Sequence, residues 1–133
     1  MLQDIVVTIR SDADIVLARQ QGRALATTIG FTPTDATLIA TAMSELARNI
    51  VAYARQGEMI MRRVETPYTK GIMIIARDSG PGIRGIQDAL RDGYSTSGGL
   101  GLGLPGVKRL MDEFSIESEL GRGTTITIKM WLK

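Results

Sequence analysis

The stretch Ile72-Met-Ile-Ile-Ala-Arg-Asp-Ser-Gly-Pro-Gly82 is the part of the sequence that decides the fold class. Its first five residues are continuously apolar, which is typical of a central strand buried on both faces or nearly so. Asp78 follows, and a carboxylate that ends a buried strand needs a hydrogen-bonding partner or a bound ligand. Gly80 and Gly82 then allow a tight turn and a close approach of the backbone to a ligand. A turn in which Asp78 accepts only local amide hydrogen bonds is an equally good interpretation of these residues.

Extended and helical patterns alternate on both sides of this strand. Segments rich in β-branched or alternating residues predict further strands at 4–9, 58–64, 115–119 and 124–132. Apolar residues at helical spacing predict helices at 12–29, 33–56 and 107–114. Ser11 and Asp14 fit a capping box before the first helix, and Pro33 suits the first position of the second. The sequence therefore predicts an α+β fold, a two-layer sandwich of three helices and an antiparallel-rich sheet, in a single domain of residues 1–133.

The composition excludes several classes of site. The chain contains neither Cys nor His, so thiolate nucleophiles, His-based triads, the usual zinc sites and phosphorylation of an internal His are impossible. Its 16 basic and 14 acidic residues give a net charge of +2 without a basic cluster among aromatics, so we expect no nucleic-acid partner. We expect no signal peptide, and the sequence contains no apolar run of membrane-spanning length. We therefore expect a cytoplasmic protein that does not bind membranes.

The second predicted helix carries a polar strip with two chemically suggestive residues. Glu45 and Asn49 are four residues apart, so both side chains point to one place, in a strip that we expect to be half-buried. A carboxylate beside an amide oxygen suits a hard cation together with a general base, although a partly exposed polar pair is the alternative. The solvent-facing stripe of the same helix is predicted to contain Thr37, Thr41, Ser44, Arg48 and Arg55.

A glycine-rich segment, Gly98-Gly-Leu-Gly-Leu-Gly-Leu-Pro-Gly106, precedes the third predicted helix. Alternating glycines before a helix leave backbone N–H groups free to hold phosphate oxygens, assisted by the helix dipole. The segment lacks the Gly-Lys-Ser/Thr ending of a P-loop, and no strand ends directly before it as a dinucleotide fingerprint would require. A flexible hinge is the alternative interpretation.

Taken in order, these motifs resemble the four sequence boxes of the GHKL (Bergerat) ATP-binding superfamily, which includes gyrase and histidine kinases. The boxes correspond to Glu45-x-x-x-Asn49, Asp78-x-Gly80-x-Gly82, Gly99-x-Gly101-x-Gly103 and Gly123-Thr124. The resemblance implies a mixed, largely antiparallel sheet covered on one face by three helices. We expect neither a second domain with a catalytic lysine nor the dimerisation helices of histidine kinases. The chain therefore resembles the serine/threonine kinases of the anti-sigma-factor type.

The resemblance also implies a role for each site residue. Asp78 would bond the adenine amino group of ATP, Asn49 would hold Mg²⁺ between the phosphates, and Glu45 would be the general base. Residues 83–98 would form a mobile lid over the nucleotide. The other nucleotide-binding residues that it implies are Gly80, Gly82, Ser97, Gly99, Gly101, Leu102, Gly103, Leu104 and Thr124.

The partners implied by the resemblance are proteins. Kinases of this type phosphorylate small STAS-domain proteins on Ser or Thr, and those of the stressosome are released to bind and activate a PP2C-type phosphatase regulator. Arg19 matches the position of a basic partner-contact residue, although a solvated helix face is the alternative. A homodimer is possible on the same grounds. Ser95, Thr96 and Ser97 are expected to contact phosphate and order the lid rather than to be phosphorylated themselves. The rival hypothesis is a nucleotide-gated binding switch whose kinase activity only resets it.

Overall fold

The computed structural model describes residues 4–80 and 103–133. Its strands are β1 (Ile5–Ile9), β2 (Gly57–Glu65), β3 (Lys70–Asp78), β4 (Glu113–Glu119) and β5 (Gly123–Trp131). Its α-helices are α1 (Asp12–Ile29), α2 (Pro33–Asn49) and α3 (Gly103–Leu110), and a π-helical turn, Ile50–Ala54, follows α2 directly. Within these described ranges no helix combines the length and the apolar character required to cross a bilayer.

The sheet has the strand order β1-β2-β3-β5-β4, and each of these four strand pairs is antiparallel. The predicted central strand, β3, lies in the middle of this order. Its last residue, Asp78, is opposite Gly57 of β2 on one side and Thr124 of β5 on the other. The antiparallel sheet and the three helices confirm the predicted α+β class.

One face of the sheet is apolar and is covered by the helices. Burial alternates along β5, where Ile126, Ile128 and Met130 are buried between partly exposed neighbours. The core continues into α1 and α2 through small and branched side chains such as Ala18 and Ile39, both fully buried. The opposite face carries cross-strand ion pairs: Arg62–Asp4, Arg77–Glu58 and Lys129–Glu113. The helices therefore lie on one face, as the resemblance implies.

The helix starts follow local chemistry, with one difference from expectation. At α2 the Thr32 hydroxyl accepts a hydrogen bond from the Asp35 N–H at 3.1 Å, and Pro33 occupies the first turn. At α1 the Ser11 side chain makes no capping bond to the backbone. Instead, the Asp14 carboxylate accepts from the Arg10 N–H at 2.8 Å, so only the carboxylate half of the predicted capping box reaches back to the chain.

Two predicted helices have wrong boundaries. The second helix ends at Asn49 rather than at residue 56, because its last turn widens into the π-helical turn. The third begins at Gly103 and ends at Leu110, whereas the sequence predicted 107–114. Leu104 and Val107 are fully buried or nearly so, and this packing holds a glycine- and proline-containing segment helical against its intrinsic propensity. Phe114, predicted as helical, lies in β4.

Candidate functional site

The Glu45 side chain on α2 is hydrogen-bonded to the start of α3. That side chain is only 1% exposed, although the sequence indicated a half-buried strip. Oε1 accepts a hydrogen bond from the backbone N–H of Gly103 at 3.1 Å, and Oε2 accepts from Nη1 of Arg48 at 3.0 Å. The buried carboxylate is thus paired, as its desolvation requires, and it faces the positive end of α3. Glu45 is therefore held at the start of α3, which begins within the glycine-rich segment.

Asn49, the last residue of α2, has a buried polar atom that finds no partner among residues 4–80 and 103–133. Its Oδ1 makes no hydrogen bond within the described part of the chain. An unsatisfied buried polar atom costs about 1–3 kcal/mol, so such an atom in a native fold is usually reserved for a ligand, a water or an ion. An amide oxygen is a suitable ligand for Mg²⁺, which binds few protein oxygens and retains waters or phosphates. Asn49 therefore fits the metal role that the sequence implied.

Metal ligands of other kinds are not clustered in the described structure. Residues 4–80 and 103–133 contain no group of three or more His, Cys, Asp or Glu side chains arranged to hold an ion. A metal at Asn49 would therefore take its remaining ligands from bound phosphate or water, which is the usual pattern for Mg²⁺ in phosphoryl-transfer sites.

Asp78 lies at the end of β3 among close backbone contacts. Its Oδ1 accepts a hydrogen bond from the Gly80 N–H at 2.9 Å, so the local turn considered from the sequence is present. Gly123, which precedes Thr124 in β5, has a φ of +117°, and a Cβ there would lie 2.0 Å from the Asp78 carbonyl oxygen. Thr124 is 8% exposed, and its hydroxyl shares a hydrogen bond of 2.8 Å with that of Ser118. The backbones of β3 and β5 therefore approach closely at Asp78, the last residue of β3.

Two clefts meet at Asp78. One, of about 420 Å³, is lined by Arg10, Ala54 and Gly57 among others. The second, of about 390 Å³, is lined by Arg122 and Thr124 among others. Both fall within the size range of small-molecule sites, and Asp78 lines both of them.

The structure brings the predicted residues together in two groups. Glu45 contacts Gly103, and Asp78 contacts Gly80 and lies opposite Thr124. The π-helical turn after Asn49 leads from the first group to the second, because a Cβ on Gly80 would lie 2.5 Å from the Cβ of Ala54.

Leu104 follows Gly103 in α3, and its side chain, which is 1% exposed, belongs to the core. Arg19 is exposed on α1. The remaining site residues and the lid, 83–98, lie outside the described ranges; these residues are Gly82, Ser97, Gly99, Gly101 and Leu102.

Sequence reasoning misplaced Arg48 and Ser44 and missed the contact of Ser118. Arg48 was assigned to the solvent stripe, yet it forms the ion pair with Glu45, and the spacing of three residues was the available signal. Ser44, assigned to the same stripe, is only 8% exposed, because α2 is covered on more than one side. Ser118 is joined to Thr124 across the β4–β5 pair, a contact that follows only from the strand register.

Comparison with known proteins identifies the family. Residues 34–133 match the family of histidine kinase-, DNA gyrase B- and HSP90-like ATPases. The chain belongs to the GHKL ATPase family. The serine/threonine-protein kinase RsbT of Bacillus subtilis (strain 168) is 54% identical to this GHKL chain over 127 residues, which cover 96% of each protein. The anti-sigma F factor of Clostridium novyi (strain NT) is 31% identical over 104 residues, 74% of this chain and 73% of that relative.

These relatives confirm the family predicted from the sequence. The chain is a GHKL-type homologue of a serine/threonine-protein kinase along nearly its whole length, and of an anti-sigma factor along about three quarters of it. The family match begins within α2 and includes all four of the motifs that carried the resemblance.

Proposed function

We propose that the protein is a cytoplasmic, ATP- and Mg²⁺-dependent serine/threonine kinase that phosphorylates STAS-domain proteins of a stressosome. When released, it would bind and activate a PP2C-type phosphatase regulator in a general stress pathway. The observation that carries the proposal is the buried Glu45 carboxylate at the start of α3, one helical turn from the Oδ1 of Asn49, which has no hydrogen-bond partner in the described part of the chain. The 54% identity to a protein named as a serine/threonine kinase supports the same reaction class.

Each residue of the site has a part in phosphoryl transfer. Bound Mg²⁺ would neutralise charge on the phosphates, and Asn49 offers it an amide oxygen. Glu45 would accept the proton of an incoming Ser or Thr hydroxyl at a carboxylate oxygen, which makes that hydroxyl a better nucleophile. Asp78 offers a carboxylate oxygen to the amino group of adenine, a contact that the Gly80 N–H orients by holding Oδ1. Phosphoryl transfer depends on position and charge, so a few fixed side chains suffice.

The phosphate acceptor would be a separate protein. The chain contains no His, so a phosphohistidine intermediate of its own is impossible. Incubation with γ-labelled ATP, Mg²⁺ and candidate STAS-domain proteins should label the partner with an acid-stable, alkali-labile phosphate ester. Label that remained on this chain alone, with the partner present and unlabelled, would contradict direct transfer.

Three substitutions separate nucleotide binding from chemistry. Asp78→Asn should abolish ATP and ADP binding, because the amide presents a donor where the adenine amino group also donates. Glu45→Ala should retain most ATP affinity while lowering transfer by about 10²-fold or more, the usual contribution of a positioned base. Asn49→Ala should remove the Mg²⁺-dependent part of ATP affinity. Calorimetric titration and transfer assays on folded variants measure these outcomes, and normal transfer by Glu45→Ala would leave Glu45 without a catalytic role.

A second candidate function is a nucleotide-gated binding switch whose kinase activity serves only as reset. The 31% identity to a protein named as an anti-sigma factor favours it, because that relative is named for a partner that it opposes. The two functions differ in what Asp78→Asn does to phosphatase activation. If activation survives when phosphorylation is lost, binding is an independent function of the protein.

A further inference from the structure

The ion pair between Glu45 and Arg48 joins a buried carboxylate to a residue that reaches the surface. The two residues are three positions apart on α2, with Nη1 and Oε2 separated by 3.0 Å. The Glu45 side chain is 1% exposed, and that of Arg48 is 36% exposed. The guanidinium therefore approaches the carboxylate from the solvent side of α2.

Gly103 and Arg48 differ in how firmly they are connected to Glu45. Gly103 belongs to α3, so its N–H moves with the helix that follows the glycine-rich segment. Arg48 belongs to the same helix as Glu45, and the backbone between them is fixed by α2 itself. The bond from Arg48 to Glu45 can thus persist when α3 shifts. It can also persist when the Gly103 N–H donates to a phosphate oxygen instead of to Glu45.

A general base must keep its carboxylate in one orientation. The terminal torsion of a Glu side chain is broad and roughly two-fold, so burial alone does not fix the plane of the carboxylate. A guanidinium is planar and always charged, so the bond from Arg48 to Oε2 is charge-assisted and restrains the carboxylate more tightly than a neutral backbone N–H does. A carboxylate has about four acceptor positions, so it can hold this bond and still accept a proton from a substrate hydroxyl.

We propose that Arg48 is a positioning residue for phosphoryl transfer, which holds the Glu45 carboxylate in the orientation that accepts the proton of the acceptor hydroxyl. The proposal rests on the proposed function, because it requires Glu45 to be the base. Arg48 acts through Glu45 and has no contact of its own with the reacting atoms. Its effect should therefore fall on the rate of transfer and not on nucleotide affinity.

The kinetic test compares Arg48→Gln, Arg48→Lys and the matched control Arg62→Gln. Arg62 also pairs with a carboxylate, that of Asp4 at 2.7 Å, but lies on the opposite face of the sheet. Arg48→Gln should lower kcat by about 10-fold while the KM for ATP changes by less than about twofold, because a misoriented catalytic group costs rate. Arg48→Lys, which retains the charge without the planar guanidinium, should give an intermediate kcat, and the control should match the wild type. A wild-type kcat in Arg48→Gln would overturn the proposal.

A double variant tests whether Arg48 acts through Glu45. Once Glu45→Ala has removed the carboxylate, adding Arg48→Gln should cause no further loss of kcat, because residues that act as a unit are not additive. A further loss of about 10-fold in the double variant would mean that Arg48 contacts the substrate or nucleotide itself, and the positioning role would be wrong.

Amide hydrogen exchange gives a readout that needs no kinase activity. If Arg48 orients Glu45, then Arg48→Gln should weaken the bond that Gly103 donates and speed exchange of that amide by about fivefold, as Glu45→Ala should also do. Arg62→Gln should leave the exchange rate unchanged. If no acceptor protein is phosphorylated but the Gly103 amide responds, the proposed function fails while the positioning of Glu45 by Arg48 stands. An unchanged Gly103 amide in Arg48→Gln would refute the positioning itself.

Discussion

Replacing Gly123 with Ala should destabilise the protein far more than the same change two residues earlier. Gly121 and Gly123 have φ values of +81° and +117°, so an alanine at either position carries backbone strain of about 1–3 kcal/mol. Nothing lies within 4 Å of a Cβ built at Gly121. At Gly123 the Cβ would lie 2.0 Å from the carbonyl oxygen of Asp78 and 2.8 Å from the Cα of Ser79. Both are backbone atoms, so a side-chain rotation cannot relieve the overlap.

The additional cost at Gly123 follows from that overlap. The end of β3 must move away from β5, which strains the packing by about 1–3 kcal/mol and weakens ladder bonds worth about 1 kcal/mol each. We therefore expect about 3–6 kcal/mol for Gly123→Ala against about 1–3 kcal/mol for Gly121→Ala. For a chain of this length each 1 kcal/mol lowers Tm by roughly 4 °C, so the two variants should differ by about 8–12 °C.

Two measurements would decide this prediction. Urea unfolding followed by the fluorescence of Trp131, the single tryptophan, and by circular dichroism gives the free energy of unfolding of each variant. Equal losses of stability in the two variants would refute the reasoning, because only Gly123 is crowded by backbone. ADP affinity should also fall more in Gly123→Ala, since the displaced strand end carries Asp78.

Two further predictions concern the surface. Arg19→Ala should weaken binding of the STAS-domain partner without changing ATP affinity, because Arg19 is exposed on α1 and belongs to neither group of predicted nucleotide-site residues. An unaffected complex in a pull-down or calorimetric titration would remove Arg19 from the interface. Burial raises the pKa of Asp112, but hydrogen bonds from Lys133 and the Trp131 N–H outweigh it and hold that pKa below its usual value. The stabilisation by the Asp112 carboxylate is therefore present above the unfolded pKa of about 3.9 and is lost as pH falls through the lower folded pKa. The difference in unfolding free energy between wild type and Asp112→Asn should therefore shrink between about pH 5 and pH 3.

The sheet was more predictable from the sequence than the helix after the glycine-rich segment. The apolar run that starts at Ile72 identified the central strand, although β3 is buried on one face only and Met73 and Ile75 on the other face are partly exposed. The third helix was placed four residues too late, because Gly103, Pro105 and Gly106 are poor helix formers. Buried Leu104 and the bond from Gly103 to Glu45 support that first turn, and both are tertiary interactions that local propensity cannot register.

The candidate site was predictable as residue types but not as contacts. Spacing placed Glu45 and Asn49 on one side of α2, and the structure keeps them there. The burial of Glu45 could not be predicted, because it depends on tertiary contacts such as the hydrogen bond from Gly103, which lies in another element. The residue type and helical position of Arg48 are those of a solvated residue. Only the burial of Glu45 distinguishes the Arg48–Glu45 pair from an ordinary surface ion pair.

The strand order has a consequence for how the protein reaches its native state. β3 forms a hairpin with β2, its neighbour in sequence, but its second neighbour is β5, so the β4–β5 hairpin must dock on β3 as a late, non-local step. During synthesis, Asp78 acquires its neighbour Thr124 only when almost the whole described chain has emerged. Until then β3 exposes one edge with an Ile-Met-Ile-Ile run, an aggregation-prone template. Chaperone dependence and inclusion-body formation in variants of the β4–β5 hairpin should therefore originate at β3, far from the substituted residues in sequence.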